Sequence, residues 1–281
     1  MELVASPRRI LRKMEARRRD LDADALPLLE VHGLSKSYRG LQALVDYELR
    51  LAPLTIHGVI GPNGAGKTTL FHLLSGFLRP SSGTIACQGR DITGSAAFRI
   101  SRMGIGRTFQ NIRLFGELSV LDNVKVALQR QWRRSLVGTL ISSPSFRRHE
   151  RELDTRAMEL LDLFGLADQR DRLARNLPYG DQRRLEIARA VGIRPTLLLL
   201  DEPNAGMNPI ETQELLGLIR RLRDDLGITI VLVAHDIPLV MNLCDQIQVL
   251  NYGRLIAEGD PAEVRANRDV IAAYLGQARH A

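Results

Sequence analysis

Gly61-Pro62-Asn63-Gly64-Ala65-Gly66-Lys67-Thr68 is the stretch that decides the fold. It fits the pattern G-x-x-x-x-G-K-[ST], follows the apolar run Thr55–Ile60 and opens a helical stretch from about Thr68 to Phe77. In that context the glycines let backbone N–H groups curl around a phosphate. The start of the following helix adds partial positive charge. Lys67 can reach β and γ phosphates, and the Thr68 hydroxyl can ligate Mg²⁺. The expectation is a nucleoside triphosphate site.

A second carboxylate-bearing element supports it. Thr196–Leu200 is fully apolar, as a strand buried on both faces must be, and it runs into Asp201-Glu202-Pro203. A parallel strand that ends in a carboxylate puts that charge at the edge of the sheet where ligands bind. Asp201 then serves the Mg²⁺ shell, and Glu202 is placed to orient and deprotonate an attacking water. His235 follows the next apolar run, Ile228–Ala234, and is a candidate for the γ-phosphate. Gln110 follows a short strand expected at Ile105–Phe109. Leu177-Pro178-Tyr179-Gly180-Asp181-Gln182 reads as a loop before a helix at Arg183–Gly192, with Gly180 allowing close backbone approach to an anion.

Further outward, Leu28–Val31 and Ala43–Leu51 alternate as strands do, Arg79–Gly83 is a turn and Thr84–Gln88 a short strand. Residues from about 112 to 176 read mostly as helix, with Gly138 and Ser142–Ser145 marking a loop. Ile210–Leu222 and Ile237–Cys244 are expected helices, and Gln246–Asn251 with Arg254–Ala257 a hairpin about Tyr252-Gly253. Strands alternating with helices mean α/β.

The composition is that of a globular chain: 281 residues, 44% hydrophobic and 25% charged, with a net charge of +7. Only four of the 39 basic residues are lysine, and the 13 aromatic residues do not cluster with the arginines, so a nucleic-acid face is not expected. Cys87 and Cys244 are too few for a disulfide framework. No apolar run approaches the ~18 residues of a membrane helix. Residues 1–26, with Arg8, Arg9, Arg12, Lys13 and Arg17–Arg19, read as a basic extension, and 27–281 as the folded domain.

In this order the motifs resemble those of ATP-binding cassette (ABC) ATPases, from Leu28 to about Gly276. Gly61–Thr68 is similar to Walker A, Gly106–Gln110 to the Q-loop, Leu177–Gln182 to the signature and Leu197–Glu202 to Walker B. Asn204–Asn208 is similar to the D-loop and His235 to the switch histidine. Longer strings, among them Arg107–Phe115, Leu177–Arg189, Pro144–Arg148 and Asp269–Gly276, resemble the LivG-type subunits of branched-chain amino acid importers. Pro178 departs from the family, standing at the signature serine position.

The resemblance implies a P-loop NTPase fold: a RecA-like core, an antiparallel β subdomain and a helical subdomain inserted at about 111–176. It implies ATP and Mg²⁺ as ligands. Tyr38 would stack on adenine; Gly61, Pro62, Asn63, Gly64, Ala65, Gly66, Lys67, Thr68 and Thr69 would hold phosphate. Tyr179, Gly180, Asp181 and Gln182 would face a partner's nucleotide. Thr68, Gln110 and Asp201 would serve the metal, and Glu202, His235 and Gln110 catalysis. The implied partners are a second ATPase subunit, two permeases and, indirectly, an extracytoplasmic binding protein, at the cytoplasmic face of the inner membrane. Related transporters of urea, amides or lipopolysaccharide, and soluble non-transport ABC ATPases, are the alternatives.

Overall fold

The computed structural model describes residues 27–129 and 144–275, so the basic extension 1–26, Gly138 and Gly276 lie outside the described residues. The described chain divides into two units. The first comprises the described residues up to Arg107, with Thr196–Asn204 and those from Leu216 onward; the second comprises Thr108–Pro195 and Ala205–Leu215.

The first unit carries two sheets. One is antiparallel, in the order β2-β1-β4-β5, from β1 (Leu29–Tyr38), β2 (Leu41–Leu51), β4 (Ser82–Cys87) and β5 (Arg90–Asp91). The other has the order β10-β9-β3-β8-β7-β6, from β3 (Ile56–Ile60), β6 (Ile105–Arg107), β7 (Leu197–Asp201), β8 (Thr229–Val233), β9 (Gln246–Asn251) and β10 (Arg254–Gly259). Within it β3, β6, β7, β8 and β9 run parallel, and only β10 is antiparallel. Every residue of β3, β7 and β8 is buried, as the mainly apolar sequences of these interior parallel strands require, and His57, Asp201 and Thr229 are buried with them. The β9–β10 hairpin turns at Tyr252 and Gly253, both at positive φ, the geometry that two-residue turns favour.

Helix α1 (Lys67–Leu74) follows the phosphate loop. It is shorter than expected: Ser75 caps it, Gly76 turns out at φ 73°, and Phe77 is exposed. Leu70, Phe71 and Leu74 pack into one core with Leu29 and Val31 of β1, Leu44 and Tyr47 of β2, Leu197 and Leu199 of β7, and Val231 of β8. A short helix, α2 (Ala97–Arg102), has no counterpart among the elements expected from the sequence.

The second unit is helical, with α3 (Val120–Gln129), α4 (Pro144–Leu163) and α5 (Tyr179–Gly192). The loop expected at Ser142–Ser145 is corrected in part: Pro144 and Ser145 begin α4, with proline at the first position where its missing N–H costs nothing. Residues 111–119 are not helical, and only single turns at Ala167–Gln169 and Ala174–Asn176 interrupt the stretch from 164 to 176. The chain then forms α6 (Pro209–Asp224), α7 (Ile237–Leu243), α8 (Pro261–Ala266) and α9 (Arg268–Leu275). Among the described residues no helix is long and apolar enough to cross a membrane.

One polar network is sealed in the first unit. Tyr47 donates to Gln248 Oε1, and Gln248 Nε2 donates to the Glu48 carbonyl at 3.0 Å. His57 is 3% exposed. Burial pulls its pKa down to about 4, against a hydrogen bond to Gln248 that favours its charged form. Its folded value lies below its unfolded one, so its contribution to stability is present above about pH 6.5 and is lost as pH falls toward 4. His57→Gln, neutral throughout, should lack this loss. Urea unfolding should show the wild type's stability relative to the variant falling by roughly 3 kcal/mol between pH 7 and pH 4. A constant difference would mean that His57 does not titrate differently on folding.

Candidate active site

The phosphate loop is built for an anion. Gly61, Gly64 and Gly66 all lie at positive φ (153°, 78° and 106°). At Gly61 a Cβ would press into the Leu250 carbonyl, and at Gly66 into that of Ala43, so backbone is packed too closely there for any side chain. Helix α1 has no side-chain cap and no acidic residue in its first turn. Its N-terminal N–H groups therefore keep their affinity for an external acceptor.

Lys67 is 6% exposed, and its Nζ donates to the carbonyls of Gly61 (2.6 Å) and Pro62 (2.9 Å). The ammonium is thus folded back inside the loop. Burial lowers its pKa, and the negative charges of Glu202 and then Asp201 oppose that shift. The structure so brings together three of the residues singled out in the sequence. Thr68 and Asn63 are exposed at the loop, and Tyr38, 41% exposed, has Lys36 Nζ 5.2 Å from its ring centre.

Asp201 is the last residue of β7 and is 2% exposed. Its Oδ2 pairs with Arg107 Nη2 at 3.0 Å, a partner that the sequence did not announce. Glu202, next along, is a non-glycine residue in the left-handed region, at φ 48°. Such a backbone costs on the order of 1–3 kcal/mol and persists where surroundings impose it. Here the Glu202 N–H is held by the Val233 carbonyl at 2.9 Å, and its Oε1 lies 2.8 Å from His235 Nε2. Next to His235, Asp236 caps α7, accepting from the Leu239 N–H at 3.1 Å.

The second unit holds Gln110 and the signature residues. Gln110 is exposed, and its carbonyl is gripped by Arg183 Nη2 at 2.9 Å. Arg183 Nη1 donates to the Phe109 carbonyl (2.7 Å) and to Glu186 Oε2 (2.8 Å). Glu186 Oε1 in turn accepts from the N–H groups of Phe109 and Arg113 at 3.3 and 3.4 Å. Arg183 is fully buried. Burial raises the Glu186 pKa, and the Arg183 charge works against that rise. This ion pair on α5 therefore holds the backbone of residues 109–113.

Tyr179–Gln182 are not a loop ahead of the helix but the first turn of α5, which starts directly after Pro178. The Pro178 carbonyl accepts from the Gln182 N–H at 2.9 Å. A Cβ on Gly180 would sit 2.8 Å from Glu211 Oε1, the end of a side chain on α6 that would have to turn aside. Asp181 accepts from Gln169 at 2.8 Å, and the ring of Tyr179 covers Gly206. Asn208 closes a reciprocal cap with Glu211, each side chain accepting the other's N–H at 2.9 Å.

A phosphate loop, a parallel strand ending in Asp201 with Glu202 directly after it, and a histidine on that glutamate, beside an antiparallel sheet, define an ATPase of the ATP-binding cassette class. Residues 44–205, more than half of the chain, match the family described as "ABC transporter", and residues 254–280 match "Branched-chain amino acid ATP-binding cassette transporter". The chain is 48% identical over 252 residues to the high-affinity branched-chain amino acid transport ATP-binding protein LivG of Escherichia coli, covering 90% of this chain and 99% of that one. It is 45% identical, with the same coverage, to BraF of Pseudomonas aeruginosa, which has the same description. A crystal structure of an ATP-binding cassette of an ABC transporter in its ADP conformation superposes with TM-score 0.77 at 27% identity, covering 90% of this chain and 100% of that one. A nucleotide-free cassette gives 0.75 at 26% identity, covering 88% and 98%. The chain belongs to the ABC transporter family and to its LivG type, and it is an ATPase coupled to transport.

Proposed function

We propose that this chain is the ATP-hydrolysing motor of an importer for branched-chain amino acids, paired with a second ATPase subunit on two permeases at the cytoplasmic face of the membrane. The observation that carries the chemistry is the buried Lys67 ammonium inside an uncapped glycine loop, under the joint field of Asp201 and Glu202. The solute comes from the description of the relatives, LivG and BraF.

In this reading the loop N–H groups and Lys67 hold the β and γ phosphates, and Tyr38 offers its ring to the adenine. Glu202 takes the proton of the attacking water, and His235, bonded to Glu202, orients it and faces the γ-phosphate. Gln110 and the signature turn Tyr179–Gln182 serve as sensing and partner-facing elements. Mg²⁺ fits the donor set: it takes one or two protein oxygens and completes its shell with phosphates and water, and the Thr68 hydroxyl and Asp201 carboxylate are hard oxygen donors. Bound there, it would neutralise phosphate charge and orient the γ group.

The solute assignment is tested in vesicles holding this chain, the second ATPase and both permeases, with the binding protein outside. ATP-dependent uptake of labelled leucine, displaced by isoleucine and valine, is expected. Uptake displaced by urea or short amides instead would move the chain to a related transporter.

A further inference from the structure

Arg107 ends β6 and reaches across the first unit to two elements. Its Nη2 donates to Asp201 Oδ2 at 3.0 Å. Its Nη1 donates to the Phe71 carbonyl at 3.1 Å and to Ser75 Oγ at 2.7 Å. The guanidinium carbon sits 5.7 Å from the ring centres of both Phe71 and Phe77. The side chains of the pair are 5% and 3% exposed. Phe71 lies in the last half of α1 and Ser75 is its C-cap. A cation there also meets the negative end of the helix dipole.

Helix α1 carries Lys67 and Thr68 at its other end. Its eight residues span about 12 Å. One planar guanidinium thus ties the carboxylate of β7 to the far end of the helix that holds the phosphate loop. A lysine has no fork with which to serve three acceptors from one fixed plane.

We propose that Arg107 is a positioning residue for Asp201: it fixes the carboxylate relative to α1, so that Asp201 and Thr68 meet the ion accompanying the nucleotide at a set spacing. The inference rests on the reading of Asp201 as a Mg²⁺ ligand. In this reading Arg107 acts through Asp201, and its own contacts include Asp201, Phe71, Ser75 and the ring of Phe77. Partners that orient a metal ligand typically contribute 10–100-fold to metal affinity.

The test uses the full chain and a ribose-labelled fluorescent ATP, titrated with Mg²⁺ and also measured in EDTA, with thermal unfolding recorded without nucleotide. Arg107→Met should bind the nucleotide in EDTA within about threefold of wild type, because Lys67 and the loop are intact. It should need at least about tenfold more Mg²⁺ for half of the Mg²⁺-dependent signal. Arg107→Lys, which keeps the charge, should fall between. A wild-type Mg²⁺ midpoint in Arg107→Met overturns the proposal, and so does an equal loss of binding with and without Mg²⁺, which a fold defect would give. Should the buried Asp201 left alone prevent Arg107→Met from folding, Arg107→Gln keeps an uncharged NH₂ donor and takes its place, and the same two results would overturn the proposal. Asp201→Asn separates the two levels. An unmoved midpoint there removes the ligand assignment, whereas a moved midpoint there and an unmoved one in Arg107→Met removes the role of Arg107 alone.

Discussion

Glu202→Gln should leave ATP binding within about twofold of wild type and slow ATP turnover by at least about 100-fold, the lower end of what loss of a general base costs. The substitution is close to isosteric. The left-handed backbone at φ 48° and the N–H bond to Val233 do not depend on the side-chain charge. The amide can still meet His235 Nε2, which lies 2.8 Å from Oε1 in the wild type. What disappears is the proton acceptor. Removing the charge also withdraws part of the field that opposes the lowering of the Lys67 pKa. The check is steady-state phosphate release by the assembled transporter, with bound nucleotide counted separately. Turnover near the wild-type rate would take Glu202 out of the base role.

Lys67→Ala should lower ATP affinity by roughly 10- to 150-fold and stop transport. The magnitude follows from one or more hydrogen bonds to a charged group, each worth about 1.5–3 kcal/mol, at about 1.4 kcal/mol per factor of ten. The loop's N–H groups and the start of α1 remain, so binding weakens rather than vanishes. In the structure Nζ donates to the carbonyls of Gly61 and Pro62. The variant should therefore also melt slightly earlier, and a melting curve must accompany the titration. An unchanged nucleotide titration in a folded variant would contradict the placement of the phosphates.

Much of this site is legible in the sequence because its parts follow regular elements. The loop follows an apolar strand and opens a helix, and Asp201-Glu202 closes a strand whose five residues are all buried. The hairpin about Tyr252-Gly253 is likewise read from its turn pair. What stays hidden has a common cause: the role of a lone residue is set by tertiary neighbours, not by spacing. Arg107 sits in a short strand with nothing around it in sequence to name Asp201, 94 positions away, as its partner. Arg183 and Glu186, three apart on a helix, read like an ordinary solvated pair, yet they are buried and hold a loop 73 to 77 positions upstream. The true start of α5 is masked because Pro178-Tyr179-Gly180 reads as a breaker cluster, while the Pro178 carbonyl in fact accepts the first bond of the helix, from the Gln182 N–H. β1 continues to Tyr38 through Ser35–Ser37, which its own polar composition does not favour, because Ser37 and Tyr38 pair with Gln42 and Leu41.

The most direct test of the motor assignment measures phosphate release and leucine uptake together, in the same vesicles, for wild type and Glu202→Gln. Both should require internal ATP, and both should fall in parallel, by at least about 100-fold, in the variant. Leucine uptake continuing at the wild-type rate while phosphate release collapses would contradict the motor assignment.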